Sequence, residues 1–326
     1  MAVAVVITNE HEAPALTGWA WQCARARGED VVVLATVPKD SDDSAQPLPT
    51  IRAAVSDHTD AHARLAAATA EAEGASPEEA EPCPKGEVVP VPSGKDEARA
   101  VLAALTEHGA KLLIVAKHTK VKGNDDVLSL KLFREAACMV MLLRLGKDST
   151  GATCRRVLVP TAGGPHATEA IRLASKMTGL ADPSCAIDKA GVAGVDALYV
   201  EPDIGPDAEL VGKKILDKAI RRAAEDPAKA HVRPIVEVAN DVRTGLAKVV
   251  ETGAYDLVLV GAANQWYARK ALFGMIPDKL LDEDSTLTVG VVRMGKPLMT
   301  AVAEKVRHLL ARGIPQINRE DRVSLV

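Results

Sequence analysis

The residues best suited to chemistry lie between Asp256 and Met275, in the run DLVLVGAANQWYARKALFGM. An apolar segment at 257–260 stops at Gly261, and a mixed loop then carries Asn264, Gly274 and Met275. A short hydrophobic run ending in glycine is how a buried parallel strand reaches the ligand edge of an α/β sheet. There the first residues of the next loop can turn backbone N–H groups towards an anion. A second such turn, Thr161-Ala162-Gly163-Gly164, follows an expected strand at 155–160. It could hold a ligand through its backbone; the plainer account is that two glycines permit a tight turn.

Other clusters are weaker. His58 and His62 stand four residues apart on a helical pattern, with Asp57 and Asp60 beside them. Two imidazoles at that spacing can share a zinc ion, but the protease pattern needs Glu directly after the first His, and Thr59 stands there. A solvated helix face is the favoured reading. The loop Lys117-His118-Thr119-Lys120-Val121-Lys122 is cationic and could meet an anion or an acidic segment, although charge runs usually face water. The chain has no G-x-G-x-x-G after a strand, no G-x4-G-K-[ST] and no G-x-S-x-G elbow. No activated nucleophile with a base is evident, so the expectation is a protein that is not an enzyme, with metal ligands absent.

The elements that must position these residues form a pattern that occurs twice. The spacing predicts strands at 3–7, 31–37, 88–91, 111–116 and 138–143, with helices at 13–27, 51–73, 97–108 and 128–135. Pro90 and Pro92 mark 88–91 as an edge strand, since neither can donate to a ladder. After a polar linker at 146–153 the pattern restarts. Strands are expected at 155–160, 195–200, 232–238, 257–260 and 286–292, and helices at 167–178, 207–224 and 244–252. Thr8 registers with Thr161, Ala116 with Gly261, Leu132-Phe133 with Leu272-Phe273, and Arg144 with Arg293, at separations within a narrow band. Loop insertions do this to a duplicated domain. Alternating strands and helices require parallel crossovers, so each half should be a doubly wound α/β sheet. One continuous sheet, or two unlike folds, would make the duplication wrong.

The spacing of Gly261, Asn264, Gly274 and Met275 resembles the G-x2-G-x9-G-[ST] signature of nucleotide-binding universal stress proteins. Asn264 stands at the second glycine and Met275 at the hydroxyl residue. The resemblance covers about residues 1–295, as tandem domains at 1–146 and 154–295. It implies two five-stranded parallel sheets in the order 3-2-1-4-5, and a pseudo-twofold pairing of the halves through their last strands. It also implies an adenine nucleotide, ATP in the first place, held in the second half. The residues concerned are Thr161, Ala162, Gly163, Gly164, Gly261, Asn264, Gly274 and Met275, with Val200 at the adenine edge. Thr8 and Thr161 replace the family's adenosine-holding Asp. In the first half Ala116 replaces the first glycine and Arg134 stands opposite Gly274, so nucleotide binding there is not expected.

Bulk properties narrow the function. With 326 residues and 47% hydrophobic content the chain supports two cores, but only 2% is aromatic and net charge is −4. Nucleic acid is therefore not an expected partner. Five cysteines without Cys-x-x-Cys spacing read as reduced thiols, Cys23 and Cys138 as small core residues, and the location as cytoplasmic. No apolar run approaches the ~18 residues of a spanning helix. The segment 296–326 is expected to be a helical basic tail, carrying Lys296, Lys305, Arg307, Arg312, Arg319 and Arg322 against Glu304, Glu320 and Asp321. Its end, INREDRVSLV, resembles the stretch that joins such domains to a membrane region of unknown function. The expectation is a regulatory module of universal stress protein type, a homodimer in solution or attached to a membrane partner; the alternative is an ATP-binding protein with slow hydrolysis.

Overall fold

The computed structural model describes residues 1–38, 49–72, 83–117, 127–147, 149, 154–178, 194–201, 207–224, 232–253, 255–262 and 286–295. The first half runs β1 (Ala2–Ile7), a 3-10 turn (Glu10–Glu12), α1 (Ala13–Arg27), β2 (Asp30–Val37), α2 (Pro49–Ala72), β3 (Gly86–Pro92), α3 (Glu97–Glu107), β4 (Ala110–Ala116), α4 (Val127–Glu135) and β5 (Met139–Arg144). The second runs β6 (Arg156–Pro160), α5 (Pro165–Thr178), β7 (Gly194–Glu201), α6 (Ala208–Ala223), β8 (Val232–Val238), α7 (Val242–Thr252), β9 (Leu257–Gly261) and β10 (Thr288–Arg293).

The strands form one ten-stranded sheet, ordered β3-β2-β1-β4-β5-β10-β9-β6-β7-β8. Continuity alone would count against duplication; the order decides the matter. Read outward from the centre, each half repeats the same sequence of strands, 5-4-1-2-3. All pairs inside a half are parallel, while the join between β5 and β10 is antiparallel, with Gly290 opposite Leu143. Two equivalent strands related by a twofold axis through the sheet must run in opposite directions. The two expected sheets are thus two halves of one mixed sheet, fused through the last strands as the pairing required. Registered residues occupy equivalent places: Ala116 and Gly261 end β4 and β9, and Arg144 and Arg293 end β5 and β10.

Alternating strand residues feed two cores. Val3, Val5 and Ile7 face α1, α2, α5 and α6, whereas Ala4 and Val6 face α3, α4 and α7. Both cores run through both halves, and each buried Val or Leu stabilises by roughly 1.5–3 kcal/mol. Helix α1 buries every residue from Leu16 to Ala24. It lies on the sheet between α2 and α5, so three of its sides are covered. Across the twofold, Gln22 Nε2 donates to the Met177 carbonyl at 3.4 Å, and Cys23 Sγ lies 3.8 Å from Met177 Sδ. Cys154, not anticipated as core, is also fully buried, while Cys138 is only half-buried. Cys185 lies outside the described residues.

Candidate functional site

The β6–α5 turn is built by its own polar groups. Thr161 leaves the sheet with its N–H on the Leu198 carbonyl at 2.8 Å, and its hydroxyl accepts from Gly163 N at 2.9 Å. Gly163 has φ +80°, a left-handed conformation that an L side chain rarely adopts. Pro165 then opens α5, where its missing N–H costs nothing. Thr168 returns both its N–H and its hydroxyl to the Gly164 carbonyl, at 3.0 and 3.1 Å. Ala162 and Gly164 are exposed, and a Cβ on Gly164 would meet open space. The turn is therefore tight and also open to solvent.

Gly261 makes a close contact with helix α5. It belongs to β9 rather than to the loop, and a Cβ there would overlap the backbone of His166 and Ala167 in the first turn of α5. The glycine lets helix and strand end touch. Val200 likewise serves the core: its methyls lie where a Cβ on Gly245 of α7 would stand. The resemblance sets Val200 at the adenine edge; its side chain packs under α7. Asn264, Gly274 and Met275 lie outside the described residues, as do 118–122 of the cationic loop and the tail 296–326.

The end of β10 packs against the start of α5. His166 Nδ1 accepts from Met294 N at 3.1 Å, and burial, then the charge of Arg293, holds its pKa below the usual histidine value. Arg293 is itself buried, donating to the carbonyls of Phe133 and Ala136 at 2.6 Å each, and to Cys138 at 3.3 Å. Its guanidinium also lies 5.7 Å from the Phe133 ring. The sequence reading used Arg293 only to register the halves; a lone arginine closing an apolar strand was the available signal.

Two further polar groups escaped that reading. Asp196, buried in β7, accepts from Arg233 Nε and Nη2 at 2.8 and 2.7 Å, from Arg156 at 3.3 Å and from the Tyr255 hydroxyl at 2.7 Å. It lies near the start of β7, away from the strand ends that carry the turn. A single Asp inside VDALYV is the clue. Glu201, the last residue of β7, is also buried.

At the equivalent edge of the first half the chain is filled differently. The 3-10 turn follows Asn9, whose side chain accepts from His11 N at 3.1 Å. Lys117 N donates to the Leu143 carbonyl at 2.6 Å, and its side chain is buried rather than displayed to an anion. Arg134 is exposed and pairs with Glu135 at 2.6 Å. His58 is half-buried: its Nε2 is 3.0 Å from the Pro14 carbonyl and its ring stacks on Trp21 at 6.1 Å. Among the described residues no group of three His, Cys, Asp or Glu could hold a metal ion. None of the described helices is long and apolar enough to cross a membrane.

No protein-family model matches the chain, and no curated protein matches it in sequence. Solved structures do. A universal stress protein from Archaeoglobus fulgidus DSM 4304 matches with TM-score 0.51 and 12% identity, covering 90% of this chain and 98% of its own. A protein from Pseudomonas aeruginosa UCBPP-PA14 assigned to the universal stress proteins gives 0.50 and 16%, covering 94% and 97%. At such identities the likeness is one of fold. Strand order, the antiparallel join and these full-length likenesses together give this chain the fold of a tandem universal stress protein.

Proposed function

We propose that the chain is a non-catalytic regulatory module of universal stress protein type, whose second half keeps a degenerate adenine-nucleotide site. The observation that carries this reading is the packing of Gly261 on His166 and Ala167, because it gives the first glycine of the motif to helix packing. The Thr161 hydroxyl is similarly engaged, by Gly163 N, within its own turn. With Asn264 and Met275 at the remaining motif positions, the small donors and glycines of a phosphate cradle are reduced to Gly274. What remains open is the exposed backbone at Ala162 and Gly164. A nucleotide there would be bound weakly, and the module would act through its surface, with the basic tail as the segment suited to a membrane-bound partner. The two halves serve as each other's partner, and the intact chain works in the cytoplasm.

Titration of the full chain with ATP, with and without Mg²⁺, tests this by calorimetry and thermal shift. A site held at about 100 times its Kd adds about 2.7 kcal/mol of stability. Weak or absent stabilisation at millimolar ATP is the expected result. Tight binding accompanied by phosphate release would overturn the reading.

A further inference from the structure

Glu201 occupies an unusual position. The residue is 7% exposed, and its Oε2 is shielded from water without a hydrogen-bond partner among the described residues. The register of β7 and β8 sets it opposite Val238, two residues beyond the pair Tyr199–Val236. Tyr199 and Val236 both face α6, since a Cβ on Gly212 would touch each of them. Glu201 and Val238 therefore face α6 as well, nearer the strand ends. Helix α6 runs back against the strands, so its first turn, ahead of Gly212, lies over this pair.

The surroundings combine apolar surface with negative charge. Val238 is 41% exposed, and Val211, on the flank of that first turn, is 45% exposed, which is unusual for large aliphatic side chains. The acid Asp207, at the N-cap of α6, is exposed and its side chain caps no backbone N–H. Glu209 is engaged by Lys213 at 2.6 Å. Below them the Tyr199 hydroxyl, held above its ordinary value first by burial, bonds the Glu201 carboxylate. A carboxylate oxygen removed from water with no donor is costly, and its natural complement is a cation or an N–H donor.

We propose that the ends of β7 and β8, beneath the first turn of α6, bind a small amphipathic amine, its ammonium on Glu201 Oε2 and its apolar body on Val211 and Val238. The site lies on the α6 face of the sheet, whereas Val200 faces α7. It goes beyond the nucleotide reading and does not depend on it. Its sign is opposite, since phosphates would be repelled by Glu201 and Asp207.

Calorimetry of the full chain with hexylammonium, hexanol and hexanoate decides the matter. Hexylammonium should bind, hexanol should bind about tenfold or more weakly, and hexanoate should not bind. E201Q keeps the shape of the side chain and should bring hexylammonium down to the affinity of hexanol; V238S should weaken both. Equal binding of amine and alcohol to the wild type would overturn the proposal. So would no amine binding, or an unchanged affinity in E201Q. The wild-type ranking needs no variant, so it stands even where E201Q misfolds. ATP run in parallel separates the two sites: its response tests the nucleotide reading alone.

Discussion

Arg293, which ends β10 in the second half, donates through Nε to the carbonyl of Phe133 in the first half at 2.6 Å. The contact crosses the antiparallel join and reaches the α4–β5 turn, where Nη2 also takes the Ala136 carbonyl. One side chain from the last strand of one copy thus supplies donors that a helix end of the other copy lacks. The halves are tied by buried polar groups as well as by a common sheet.

Arg293→Met should destabilise the protein by about 2–4 kcal/mol, because hydrogen bonds to a charged donor are lost and buried carbonyls are left without partners. Arg293→Lys should recover only part of this, since an ammonium cannot fork between separated carbonyls. Urea unfolding of the three proteins gives the comparison. Equal midpoints for wild type and Arg293→Met would show that the latch contributes nothing.

Gly261→Ala should cost about 1–3 kcal/mol, because the added methyl meets helix backbone that cannot rotate away. Gly164→Ala, at a position open to solvent, should cost much less. Differential scanning calorimetry of the pair separates packing from ordinary loop chemistry. If both variants melt together with the wild type, Gly261 is not a packing glycine.

Tyr255 is held above its ordinary value of 10.0, first by burial and then by its hydrogen bond to Asp196. The folded state then keeps its proton where the unfolded chain has released it. This stabilisation is complete below pH 10 and declines as pH rises above it towards the folded value. Tyr255→Phe should therefore show a shallower loss of stability on the alkaline side, measured by urea unfolding at a series of pH values. Parallel alkaline slopes for the two proteins would remove Tyr255 as the cause.

Burial pushes the Cys23 thiol from 9.0 up to about 12, and burial raises Cys154 well above its usual value too. Neither should react with a thiol reagent near neutral pH in the native state, because the thiolate is the reactive form. Both should label once the chain is unfolded in denaturant. Mass spectrometry of labelled peptides checks this, and rapid native labelling of Cys23 would contradict the packing of α1 against α5.

The amino-acid order alone determined the repeating α/β plan, since hydrophobic runs and helical periods depend on local spacing that can be read along the chain. Strand positions agreed with observation to within about two residues, the usual scatter of element ends, and the family resemblance correctly named the last strands as the place of pairing. The order also marked Gly261 and the 161–164 turn as special, but could not say why. A glycine needed for a ligand and one needed for a helix leave the same letter; only the folded chain brings His166 and Ala167 against Gly261. Tertiary structure likewise decided that two sheets become one, that α1 is buried on nearly every side, and that Arg293, Asp196 and Glu201 lie inside. Those outcomes depend on what a distant segment brings near: charge buried far along the chain from its partners has no period, and so leaves no local signature.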